Sequence, residues 1–234
     1  MNLIDLFVIA VLAFFMLSGI YRGFLPSVLL IGVFIVSWAC GMIFMPLVAN
    51  SVKSNETLFN MLLYYTEGSE FVGDVELARK NIDSLSPSQI SAIADNPKLP
   101  YPYAKEIQEN VAKQAFRDMN ITTLGDYYNQ TIVCVAVNIL SFLLIFLVTY
   151  IILSYAVHAF EYAVRLPKLT QFNIPISAGC GFLKGILMLF AIFMVVPLIL
   201  IAMQFDFLHQ MLDNSVFAPF FYHMSFLLGL MPGV

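Results

Sequence analysis

Charge is scarce in this chain and unevenly placed: Asp, Glu, Lys and Arg make up 11% of its 234 residues, and eighteen of those twenty-six side chains fall between Lys53 and Asp126. A soluble protein of this length carries charge over its whole surface, so a single soluble domain is excluded. Cysteine is nearly missing as well. Cys40, Cys134 and Cys180 are odd in number, stand in or beside apolar runs and show no C-x-x-C spacing, which leaves neither a disulfide framework nor a thiolate metal site. Basic residues are not in excess, the formal net charge being −4, and nucleic acid is therefore not an expected partner. No H-E-x-x-H, phosphate-binding loop or intramembrane-protease pattern occurs. No catalytic residue, cofactor or metal site is assigned, and the chain reads as non-enzymatic.

What is present is hydrocarbon-compatible sequence, with 60% hydrophobic residues and a mean hydropathy of +0.86. The charge-free runs are Leu6–Tyr21, Gly23–Val52, Tyr127–Phe160 and Gly185–Phe205, and a helix needs roughly 20 apolar residues to cross a bilayer. The fold class is all-α and polytopic, with spans expected at 3–20, 25–46, 131–156 and 178–203. Met1-Asn2 supplies no basic n-region, so the first run is expected to remain as a helix rather than be cleaved. Residues 1–49 form a transmembrane hairpin, because the Tyr21–Phe24 connection is too short for anything but antiparallel neighbours. Residues 50–128 form a soluble helical insert, 129–205 carry the third and fourth spans, and 206–234 form an interfacial tail. In the insert Asn55 is placed to cap Thr57–Tyr65, Ser86-Pro87 to open a helix through Ala94, and Tyr103–Phe116 to form another helix. In the tail Pro219 and Gly229 interrupt the apolar pattern, so Phe217, Phe220, Phe221 and Tyr222 are expected at headgroup depth.

Arg22 lies in the first short connection, and Arg165, Lys168 and Lys184 flank the second. Lys and Arg near span ends stay in the cytoplasm, whereas long domains cross largely regardless of charge. Both termini and the insert, with eleven acids and seven bases, are thereby expected outside.

Within the spans, Ser177, Gly181 and Gly185 recur every four residues, a small-residue face on which another helix of the same chain is expected and a second copy is the alternative. Asn138 is expected to donate a hydrogen bond to a neighbouring helix. Lys184 is expected to snorkel to the headgroups rather than line an ion or substrate path. Asp5 reads as a helix-capping carboxylate. His158, Glu161 and Arg165 share a helix face that Pro167 ends, an interfacial polar face rather than a metal site. The N-x-[ST] triplets at Asn55, Asn120 and Asn129 carry no weight by themselves.

An N-terminal apolar helix with an early acid (Asp5), a tight Arg22-Gly23-Phe24 turn, the Gly181-x-x-Lys184-Gly185 pattern in the last span and the Ser215-Val216-Phe217-Ala218-Pro219 tail resemble the colicin V production protein (CvpA) family. The resemblance covers about 1–50 and 130–220. Asn173-Ile174 stand where the family commonly has an Asp-Arg pair, Lys184 stands at a usual Arg, and the insert is longer than in compact members. The resemblance implies a bacterial inner-membrane protein concerned with toxin production or export and envelope homeostasis, with an outward C-terminus. The expected function is a membrane scaffold whose partners are the lipid bilayer and a membrane or envelope protein, or a further copy of itself. The alternative is a small oligomeric channel or transporter component.

Overall fold

The structure, a computed structural model, describes residues 2–96, 99–164, 173–202 and 206–234. Those residues form helices α1 (Leu3–Arg22), α2 (Phe24–Lys53), α3 (Glu56–Thr66), α4 (Val75–Ala78), α5 (Pro87–Ala94), α6 (Tyr103–Lys113), α7 (Leu124–Val164), α8 (Asn173–Phe193), α9 (Val196–Ala202), α10 (Asp206–Asp213) and α11 (Ala218–His223), with no β-strand among them. Among the described residues four stretches are long and apolar enough to cross a membrane: Leu3–Arg22, Phe24–Lys53, Leu124–Tyr162 and Ile174–Ala202.

The helix ends follow local chemistry. Asn2 caps α1 by accepting from the Ile4 and Asp5 amides, while Asp5 accepts from the Asn2 amide. Gly23, at φ +90°, takes the backbone out of α1 and into α2, and its N–H still bonds to Gly19 O at 2.9 Å. α2 runs on to Lys53 through Pro46, which forfeits one backbone donor. α7, at 41 residues, is about 60 Å long, twice the hydrocarbon thickness. The last span differs from a single helix at 178–203: it starts at Asn173 and is interrupted at Met194-Val195, just before Pro197, which has no N–H to give to the carbonyl of Phe193 and whose ring crowds that carbonyl. Arg165, Pro167 and Lys168 lie outside the described residues.

The chain packs as two compact units, and their limits fall inside helices rather than at the changes in charge. The first unit comprises residues 1–45, 141–194 and 205–225. Its interior is aromatic: Phe146 packs edge-on with Phe34 and stacks with Phe142 at centroid distances of 5.2 and 6.0 Å, and Gly41 lies against the Phe142 ring. Leu3, Phe14 and Leu17 of α1 are more than 60% exposed, the outward apolar surface that a lipid-facing helix presents. The tail differs from a surface strip. Phe221 and Tyr222 are buried, and Phe221 packs on Phe190 and Phe193 of α8 at 5.2 and 5.6 Å, while Phe220 stays half-exposed.

The second unit comprises residues 46–140, 195–204 and 226–234. The ends of α2 and α7 join the packing of this unit: Ala49, Val133 and Val137 are buried against Phe59, Leu62 and Leu63 of α3. Asn55 caps α3 through the Leu58 amide, and Ser86 with Gln89 forms a capping box on α5. Tyr103, Ile107, Phe116 and Tyr127 are buried together with the α6 face, and the Tyr127 hydroxyl accepts from the Phe116 amide at 3.3 Å. Asn129 is partly buried with both ends of its amide engaged, donating to Leu63 O and accepting from Gly68 N.

Candidate functional site

The first polar centre of the chain is built around Asp5. Its residue is fully buried. Oδ2 accepts from the Asn2 amide at 2.9 Å, and Oδ1 accepts from Ser215 Oγ at 2.6 Å, Val216 N at 2.9 Å and Phe217 N at 3.2 Å. Asn2 completes the clasp by donating from Nδ2 to Met211 O. Asp5 is thus a cap, and also the acceptor for a tail segment more than 200 residues away. The pentapeptide Ser215–Pro219 fits this geometry residue by residue. The Ser215 hydroxyl donates to Asp5 and accepts from Ala218 N at 2.9 Å, so it closes the turn that opens α11. Pro219 follows in the first turn of α11, where a missing N–H costs nothing. A carboxylate with this many donors holds backbone in place, and its lone pairs are already occupied.

The second feature is the seam between α1 and α8. A methyl group added at Gly181 would lie 2.3 Å from Phe15 O, and one at Gly19 would lie 2.4 Å from Ser177 O. Gly185 is slightly looser, with Phe15 Cβ at 3.2 Å. Ser177, Gly181 and Gly185 therefore face α1 of the same chain, and α1 contributes a glycine of its own. Gly19 too has a glycine four residues on, but that residue, Gly23, belongs to the hairpin turn rather than to the packed face. Lys184 lies on α8 about three turns from the helix start. Its Nζ stands over the rings of Phe15 and Tyr150, at 5.2 and 5.9 Å from their centroids. Arg22, in the last turn of α1, bonds through Nη1 to His158 Nε2 of α7.

The third feature belongs to the second unit and engages Asn138. Its Nδ2 donates to Pro232 O at 2.7 Å and Val234 O at 3.2 Å, so its partner is extended backbone and not a side chain of a neighbouring span. Asn110 Nδ2 donates to Gly233 O at 2.8 Å and Thr131 Oγ1 at 3.0 Å, and Glu106 accepts from the Gly233 amide. Burial, and next the neighbouring Glu109, push the Glu106 carboxyl above its ordinary range. Asn110 and Glu106 read as ordinary polar positions of an amphipathic helix, and only the returning backbone makes them part of a clasp. Among the described residues, no group of three His, Cys, Asp or Glu side chains is arranged to hold a metal ion.

The motif residues thus occupy defined places: Asp5, Ser215 and Pro219 in one clasp, Gly23 at the hairpin turn, Arg22 and Lys184 beside the α1–α8 seam. No curated protein and no solved structure matches the chain. The sequence profile described as Colicin V production protein matches residues 4–71 and 120–225, taking in the hairpin, the seam and the Asp5 clasp and omitting most of the insert. The chain belongs to the colicin V production protein family.

Proposed function

We propose that this protein is a non-enzymatic scaffold of the bacterial inner membrane that supports colicin production or export and envelope homeostasis. Family membership supports a multi-pass membrane protein involved in colicin production. The observation that carries the finer reading is the use made of its buried polar groups. Asp5 and Asn138 both bind backbone of their own chain, which favours a molecule whose polar chemistry organises its own tail. Under this reading the termini and the insert face outward, where the insert meets a membrane or envelope protein.

The test is complementation. A colicin V-producing host lacking its own family member is supplied with the wild-type chain or with Asp5→Ala, and secreted toxin is measured by growth-inhibition zones alongside membrane levels of each protein. The expected result is restoration by the wild type and loss with Asp5→Ala at a comparable membrane level. In parallel, purified protein is sized in mild detergent and assayed for ion flux in liposomes. A ring-sized assembly that conducts ions would replace the scaffold with a channel.

A further inference from the structure

Within the second unit, residues 231–234 lie across α6 and α7, and both helices grip them by the backbone. Beyond Leu230 the chain is extended, with Met231 at φ −78° and ψ 117°, and in an extended segment successive carbonyls point to opposite sides. The two helices share out that alternation. Asn138 of α7 donates from Nδ2 to Pro232 O and Val234 O, while α6 takes the residue between them: Asn110 Nδ2 donates to Gly233 O and Glu106 accepts from Gly233 N. Thr131 Oγ1 of α7 accepts from the same Asn110 amide and steadies it. None of these bonds uses a side chain of the tail. The selective position is Gly233, where a Cβ would lie 2.7 Å from Glu106 Oε2 and 2.9 Å from Asn110 Nδ2. Glu106, Asn110 and Asn138 are all buried. Lifting the tail leaves two amides and a carboxyl that must take up water or another backbone of the same shape.

We propose that Glu106, Asn110 and Asn138 form a docking cleft for an extended, glycine-bearing segment of a partner protein, and that Met231–Val234 is the chain's own strap across it. The seated strap defines the partner's chemistry: two carbonyls, two residues apart, face α7, and the glycine between them offers its N–H and C=O to α6. Main-chain bonds supply affinity in this mode of recognition, and the position that admits no side chain supplies choice. A segment of equal shape replaces the strap bond for bond, so contacts that the partner makes beyond the cleft decide which of the two is seated. The cleft gives the scaffold reading a binding chemistry, but the proposal rests on the cleft alone and its test does not involve toxin export.

The probe is a fluorescent peptide with the sequence of residues 228–234, titrated into the full chain in neutral detergent and read by anisotropy. Gly233→Leu prevents the chain from seating its own strap, so this variant should bind the peptide roughly tenfold tighter than the wild type, whose strap competes. Adding Asn138→Leu to that variant should remove the binding, and so should leucine in the peptide at the glycine that matches Gly233. A second measurement leaves the cleft and Gly233 unaltered. Met231 is 1% exposed, so Met231→Cys, in a chain without Cys40, Cys134 and Cys180, should react with a thiol reagent only when the strap lifts. Saturating glycine peptide should speed that labelling about fivefold by holding the strap out, and the leucine peptide should not. Either measurement with the expected dependence on glycine upholds the cleft. Equal binding of the two peptides, or labelling unmoved by the glycine peptide together with no gain in Gly233→Leu, would make the strap a fixed part of the core and overturn the proposal.

Discussion

Asp5 brings four donors onto one carboxylate, one from its own helix cap and three from the distant tail, and the variants of this clasp should rank accordingly. Asp5→Ala leaves the Ser215 hydroxyl and the Val216 and Phe217 amides without their acceptor, so it should lower the melting temperature in detergent more than Ser215→Ala does. The Ser215 change removes one side-chain bond and one turn closure, worth about 1–2 kcal/mol together. A melt in which the two variants are equal would mean that the tail amides find other acceptors. Glu106 makes a different prediction, about pH. Its carboxyl is raised in the folded protein, so the folded state binds the proton more tightly than the unfolded state. Its contribution to stability is then full below the ordinary carboxylate value, about 4.5, and is lost as pH rises through the folded value. Glu106→Gln keeps an oxygen to accept from the Gly233 amide and has no charge to bury. It should therefore raise stability at neutral pH and flatten the decline above that value, as followed by thermal melts across a pH series.

The α1–α8 pair is held by backbone approach, and glycines along α8 should differ sharply in tolerance. Gly181→Leu must displace Phe15 O of α1, 2.3 Å from the first added atom, and should cost about 3 kcal/mol or prevent accumulation of the protein. Phe182→Leu, on an exposed face, should be mild. Gly179 has open space around its added atom, so Gly179→Ala should be neutral or stabilising by up to ~1 kcal/mol through helix propensity. Expression and detergent melting of the three variants check the ranking, and equal behaviour of Gly181 and Gly179 would remove the seam. The hairpin turn is the other strained position. Gly23 meets no steric obstacle, but its φ of +90° is one that side chains rarely adopt, so Gly23→Ala should destabilise through backbone conformation alone.

Topology is a property of the entire chain, and cysteine labelling measures it. In a background without Cys40, Cys134 and Cys180, a cysteine at Ser88 should react with a membrane-impermeant thiol reagent in intact cells, and one at Gln171 should not. Val234 is the better reporter for the tail, because it is exposed whereas an added atom at Gly233 would meet Glu106 and Asn110 within 3 Å. A cysteine at Val234 should label from outside, as at Ser88. Labelling at Val234 from the cytoplasm alone would require another crossing and would end the outward reading of the C-terminus.

Hydropathy and local chemistry are short-range properties, and they were legible in the order of residues. The apolar runs require spanning helices because a backbone in hydrocarbon has to satisfy its own hydrogen bonds. Asn55, Ser86-Pro87 and Gly23 mark helix ends through groups only a few bonds away. The partners of the buried polar side chains were not legible. Asp5 finds Ser215, and Asn138 finds Pro232, across separations at which no periodicity links one residue to the other. The same holds for Gly19, whose need for a small side chain exists only because Ser177 and Gly181 of α8 lie against it. Composition assigned each residue to lipid, water or interior, while the tertiary fold chose which interior groups meet, since a buried donor or acceptor takes its partner from whatever the packing brings within reach.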